Sequence, residues 1–244
     1  MKGSFLLLAL VFTWYPGLSL AVTGREVVEK SRDRIKPHTL HTKVKMTISK
    51  GKAAAAKVKN FEVLAIEEDG AKKALISFLR PAKMKLLTHS FKDGTSTQWV
   101  RTASGRKKKV SSSLKSRKFA KSHFTYEDLM EPKISDYSYE LLMNSIVGDD
   151  NCYVVMATPV GKSKYDRKRL YFRVSDYWPL RAEFIKNGQV VKTLTSSNIR
   201  QIHGYLTPQL IVMEELGKGK TVMEVAVVAY DKPIKRPIFN RNAL

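Results

Sequence analysis

From His41 to Tyr230 apolar and polar residues alternate with a period of two, and this period constrains the fold more than any other feature of the chain. Successive side chains of a strand point to opposite faces, so a half-buried strand reads apolar, polar, apolar. His41–Ile48 sets Val44, Met46 and Ile48 against Lys43, Lys45 and Thr47. Phe61–Ile66, Ala74–Leu79, Leu86–Phe91 and Gln98–Arg101 continue as strands, punctuated by Asp69-Gly70, Arg80-Pro81 and Asp93-Gly94. The pattern resumes over Cys152–Thr158, Leu170–Ser175, Leu180–Ile185, Val190–His203, Gln209–Leu216 and Val222–Tyr230, with a strong hairpin signal at Asn187-Gly188. The count is about eleven strands. Helical stretches between them are too few for parallel βαβ units, so the expected fold is mainly β, an antiparallel meander in a single domain.

Ahead of the strands, Thr23 and Glu26 have capping-box spacing, and Val27, Val28, Ser31 and Ile35 share one face of an expected helix that Pro37 stops. Further upstream, Lys2 precedes an apolar run from Phe5 to Tyr15, Pro16-Gly17 breaks it, and Ser19-Leu20-Ala21 offers small residues for cleavage. The run is shorter than the roughly 20 apolar residues of a membrane span. Residues 1–21 are therefore expected to be a secretion signal cut near Ala21, leaving 22–244 as an exported, soluble domain. Cys152 is the only cysteine, so no intrachain disulfide supports the fold. It alternates with Val154 and Met156 and reads as a small buried hydrophobe.

The formal net charge is +22, which implies anionic partners. Arg101–His123 contains no acid and nine Lys or Arg, and it reads in part as a mobile loop; Arg106, Lys107, Lys108 and Lys109 are its candidate contacts to an anionic membrane surface. Few aromatics interleave with this run, and export argues further against nucleic acid. Lysines also alternate along strands, as at Lys43/Lys45 and Lys57/Lys59, in the manner of a solvated face or a guarded edge. No Gly-x-Ser-x-Gly elbow and no phosphate-cradling loop is present, and His38 and His41 have no third ligand nearby. Glu127 and Asp128 are adjacent and make a poor acid–base pair, whereas Thr125 as N-cap with Asp128 three residues on makes a good helix start. No enzyme activity, metal or cofactor is expected.

The most distinctive segment is Phe119-Ala120-Lys121-Ser122-His123-Phe124-Thr125-Tyr126-Glu127-Asp128-Leu129. It resembles a hallmark of the outer-membrane lipoprotein-sorting protein family, relatives of the periplasmic lipoprotein carrier, whose pattern is Phe-x-Gly-Ser-Asp-Phe-Ser-Tyr-Glu-Asp-Leu. Lys121 and His123 stand where that pattern has Gly and Asp. Trp99-Val100, Cys152–Pro159, Tyr177–Arg181 with Gly188, and Pro208–Met213 with Thr221 are similar in order and spacing. The resemblance implies a single curved, incomplete antiparallel β-barrel with a short helix near Phe124–Leu129 at its mouth and an apolar concave side that receives acyl chains.

The resulting expectation is a periplasmic carrier or chaperone for lipoproteins or lipids, working with membrane-associated donor and acceptor proteins. A non-enzymatic accessory of a membrane export system and a basic polyanion binder are the alternatives. Candidate acyl-chain residues are Met46, Leu64, Ile66, Ile76, Phe78, Trp99, Met156, Phe172, Phe184, Ile211 and Met213 on strands, with Phe124 and Leu129 from the short helix. Ordinary core packing is the rival reading of each, because alternation does not separate a lined cleft from a filled core.

Overall fold

The computed structural model describes residues 22–51, 55–79 and 83–244; the expected signal peptide and the Arg80-Pro81 turn lie outside them. Helix α1 (Gly24–Arg32) begins at Thr23, where the capping box forms as the spacing predicts. Asp33 already caps its end, so Pro37 is not what stops it, and Ile35 lies beyond the helix, exposed.

The strands are β1 (Thr39–Ser49), β2 (Lys57–Glu68), β3 (Ala71–Phe78), β4 (Lys85–Ser90), β5 (Ser96–Arg101), β6 (Lys107–Lys109), β7 (Tyr137–Val147), β8 (Asp150–Pro159), β9 (Arg167–Arg173), β10 (Pro179–Lys186), β11 (Gln189–Ile202), β12 (Tyr205–Glu215) and β13 (Gly219–Tyr230). They form one antiparallel sheet in the order β6-β5-β4-β3-β2-β1-β13-β12-β11-β10-β9-β8-β7. All eleven expected strands are present, and β6 and β7 are additional. Asn187-Gly188, Asp69-Gly70 and His203-Gly204 each have positive φ at both residues, as a two-residue turn that matches strand twist requires.

The register defines the faces, because directly paired residues share one. On one side of β1, Val44 pairs with Phe61, Val63 with Ile76, and Ile76 with Leu86, which pairs with Val100. On the other, Met46 pairs with Met223, Met223 with Ile211, Met213 with Leu194, and Leu194 with Ala182. All belong to one packed core. Val100 on β5 and Phe184 on β10 meet in that core although seven strands separate them in the sheet, so the sheet curls into an incomplete barrel with this face inside. The inner face continues to Val155 and Phe172, which α1 covers with Val27 and Val28.

The outer face is also partly buried. Leu64, Leu75, Leu87 and Trp99 pair in a row and are covered by Ile238, Phe239 and Leu244 of the C-terminal segment. β6 and β7 are the two free edges. The three lysines of β6 are the usual guard against edge-to-edge association.

Gly219 opens β13 at φ +109, and the Ser49 carbonyl oxygen lies against the place a Cβ would take. A sparsely populated backbone conformation costs about 1–3 kcal/mol by itself, and the clash adds to it. Gly219→Ala is expected to lower the unfolding free energy, measured by urea melts, by at least that much; an unchanged value would show that β1 and β13 are not held together at this end.

Candidate functional site

β6 and β7 are consecutive in the chain but lie at opposite edges, so residues 110–136 must cross from one edge of the barrel to the other. The crossing segment enters the barrel instead of staying at its rim. Phe119, Phe124 and Tyr126 are buried in the inner core, with Leu114, Ala120 and Leu129 packed against it. The ring centroid of Phe119 lies 5.6 Å from that of Phe78 and 5.5 Å from that of Tyr126. Apolar side chains at this spacing make the segment a plug on the inner face.

The plug is held by polar contacts that suit a dry site. Thr125 N–H donates to Asp128 Oδ2 at 2.7 Å and Asp128 N–H to Thr125 Oγ1 at 3.3 Å, the reciprocal cap expected of this pair. What it starts is a single 3-10 turn, Glu127–Leu129. Asp128 Oδ2 also accepts from Lys192 Nζ at 2.7 Å, with both side chains almost fully buried. Lys192 Nζ reaches the Tyr165 hydroxyl at 3.2 Å and lies over the rings of Tyr165 and Phe184. Burial lowers the Lys192 pKa, and Asp128 opposes that shift. Burial also raises the Tyr165 pKa, so its hydroxyl stays protonated.

His123 is buried beside this turn. Its Nε2 lies 3.3 Å from the Lys218 carbonyl and its Nδ1 2.9 Å from Thr221 Oγ1. A carbonyl only accepts, so Nε2 carries the proton and Nδ1 accepts from Thr221. Burial lowers the imidazole pKa, consistent with a neutral ring.

Between the plug, β2 and β3 lies a largely apolar cavity of about 490 Å³, walled by Ile48, Phe78, Met84 and Ala120. Five lysines also line it: Lys50, Lys57, Lys59, Lys118 and Lys121. Lys57 and Lys59, which the alternation assigned to a solvated face, lie instead on the inner face, because they pair with Ile48 and Met46. Counting back in twos from Phe61 reaches both, and that phase was the available signal. Lys43 and Lys45 do face outward, beside Glu62 and Glu224. A second cleft of about 1000 Å³ has a mixed lining, with Glu127, Glu131, Lys133 and Lys168 among apolar residues such as Met130 and Val160 in its wall.

The expected acyl-chain residues divide between the faces. Met46, Ile76, Phe78, Phe124, Leu129, Phe184, Ile211 and Met213 are in the inner core, and Phe172 lies under α1. Leu64, Ile66 and Trp99 belong to the outer cluster under the C-terminal segment. Met156 shares the outer face with Cys152 and Val154. Phe78 is the member of the set that lines the apolar cavity. In the basic run, Lys107–Lys109 form strand β6 instead of a loop, paired through Arg101, Val100 and Trp99, and Lys107 donates to the Asn242 carbonyl.

Residues 70–244 match the model of a family whose description reads "uncharacterized protein". Its solved relatives in fold include an outer membrane lipoprotein-sorting protein domain from Vibrio parahaemolyticus, 26% identical with a TM-score of 0.81 over 90% of this chain and 97% of that one. This protein belongs to that family and has a LolA-like fold. A DUF1329 family protein from Desulfovibrio piger is 23% identical with a TM-score of 0.82, covering 91% of this chain and 97% of its own. A LolA superfamily protein from Nitrosomonas europaea is 22% identical with a TM-score of 0.68, covering 92% and 100%. No curated protein matches the sequence. The shared LolA-like feature is the open, curled antiparallel sheet itself.

Proposed function

We propose that this LolA-like protein is a periplasmic carrier that holds the acyl chains of lipoproteins or lipids against the inner face of the barrel, with no bond made or broken. The observation that carries this reading is the apolar cavity of about 490 Å³ beside Phe78, continuous with a core that the plug fills. Its volume lies within the range of about 300–1,000 Å³ usual for small-molecule sites. A tail of ten buried methylenes gains about 8 kcal/mol at about 0.8 kcal/mol each, roughly micromolar binding before ordering costs. A longer tail extends along Ile76, Phe124 and Leu129 and displaces part of the plug. Secretion by a cleaved signal peptide, membrane-bound donor and acceptor proteins, and docking to anionic membrane through Arg106–Lys109 belong to the same reading, which the lipoprotein-sorting relative supports by its description.

A docking accessory of an export machine is the second reading, and the complete burial of Phe119 favours it, since a filled core needs no cargo. Uptake of a fluorescent fatty-acid probe, measured beside a thermal melt, separates the two. The parent should take up the probe, and folded Leu129→Asp should not, because its new charge stands in the apolar core along which the tail extends. If the parent takes up no probe, the docking reading replaces the carrier one.

A further inference from the structure

The charge around the apolar cavity is one-sided. Lys57 and Lys59 rise from the inner face of β2, Lys50 follows the end of β1, and Lys121 comes from the plug. None of the four has a carboxylate partner among the described residues, and residues 1–21, 52–54 and 80–82 contain no Asp or Glu to supply one. Lys118 is the exception, at 2.7 Å from Glu215. By contrast, Lys43, Lys45 and the buried Lys192 each face an acid. Among the described residues, the half-buried ammonium of Lys59 reaches the Ala120 carbonyl and the Phe78 ring and no other partner. Its pKa is lowered, first by burial and then by Lys121, Lys57 and Lys50. The free protein therefore bears mutual repulsion here that an anion would relieve.

The plug adds a second, independent observation. Ala120 and Lys121 both have left-handed backbone, at φ +51 and φ +61. Gly takes this conformation without penalty, and Lys121 does not. A charged side chain is therefore held on the cavity wall at a cost in backbone strain.

We propose that the cavity takes an amphiphile with an anionic head group, its tail against Phe78 and its phosphate or carboxylate held by Lys57, Lys59 and Lys121. The tail half of this assignment rests on the carrier reading above; the head-group half rests on the lysines.

The test is a calorimetric titration of the delipidated exported protein with three ligands: palmitoyl lysophosphatidic acid, the uncharged monopalmitoylglycerol and inorganic phosphate. Charge-assisted hydrogen bonds predict that the anionic lipid binds at least about tenfold more tightly than the uncharged one, with phosphate alone far weaker. The preference should shrink in Lys59→Gln and in Lys121→Gly. The second variant should melt no lower than the parent, since Gly accepts φ +61. Equal affinity for the two lipids would overturn the head-group assignment and leave the carrier reading standing. Binding of neither lipid would overturn both. Phosphate alone binding as tightly as the anionic lipid would mark a free-anion site and overturn the amphiphile.

Discussion

Asp128→Asn should lower the stability of the protein by about 3–5 kcal/mol, the usual cost of breaking a buried ion pair by removing one partner. The amide oxygen still accepts from Thr125 N–H, so the turn keeps its cap, and the loss isolates the pair with Lys192. The ammonium then stays buried beside Tyr165 and Phe184 with a neutral amide oxygen and a hydroxyl to receive its protons, and no carboxylate to balance its charge. The pH dependence has a definite sign. Burial already depresses the Lys192 pKa, and Asp128 is the main group raising it. Without Asp128 the folded-state pKa falls further below the unfolded value near 10.4. Over the widened interval the unfolded chain binds the extra proton, so stability rises with pH more in the variant than in the parent. The deficit should therefore narrow as the pH climbs toward 10, and Asp128→Asn with Lys192→Met should recover much of it by leaving no charge buried. Urea melts at neutral and alkaline pH check both. A deficit under about 1 kcal/mol, in the range of an exposed pair, would mean that the plug is not latched through these residues.

Phe119→Ala should also cost about 3–5 kcal/mol, the range for truncating a buried aromatic. Phe119 is fully buried and joins Phe78 of β3 to Tyr126 within the plug. Its removal leaves a void next to the wall that Phe78 and Ala120 give to the apolar cavity. Two readouts follow. The melting temperature should fall by several degrees, and at a temperature where the variant is still folded the fatty-acid probe should bind at least as well as to the parent, because the tail finds more room. A variant that melts like the parent would show the plug to be loosely seated. One that melts lower and loses the probe would show that Phe119 forms the site rather than blocking it.

How far this could be seen in the sequence varies along the chain, for physical reasons. Strands with one buried face announce themselves by alternation, as Val44, Met46 and Ile48 do against Lys43 and Lys45. β7 does not, because it is a free edge with little contrast in burial: Met143 and Ile146 are exposed, and a bulge near them shifts the register. β6 is three consecutive lysines with no apolar face to alternate, held mainly by its backbone partners in β5. The candidate site was less legible than the fold. Two-sided burial hides which face is inner: Leu86 and Leu87 are both fully buried, one beneath the plug and the other beneath the C-terminal segment. Leu64, Ile66 and Trp99 therefore look like cavity residues by pattern and pack under the tail instead. The Thr125–Asp128 cap was readable from local spacing. The partner of Asp128 was not, because Lys192 lies 64 residues away and only the curl of the sheet brings it in.

The central claim is that the inner face carries lipid tails, and native mass spectrometry of the protein released gently from the periplasm tests it most directly. The account predicts a mature chain starting near Val22 that carries additional mass matching a lipid or an acylated protein, lost on delipidation and regained on incubation with palmitoyl lipid. Bare protein alone, in fresh preparations and after incubation with that lipid, would contradict it.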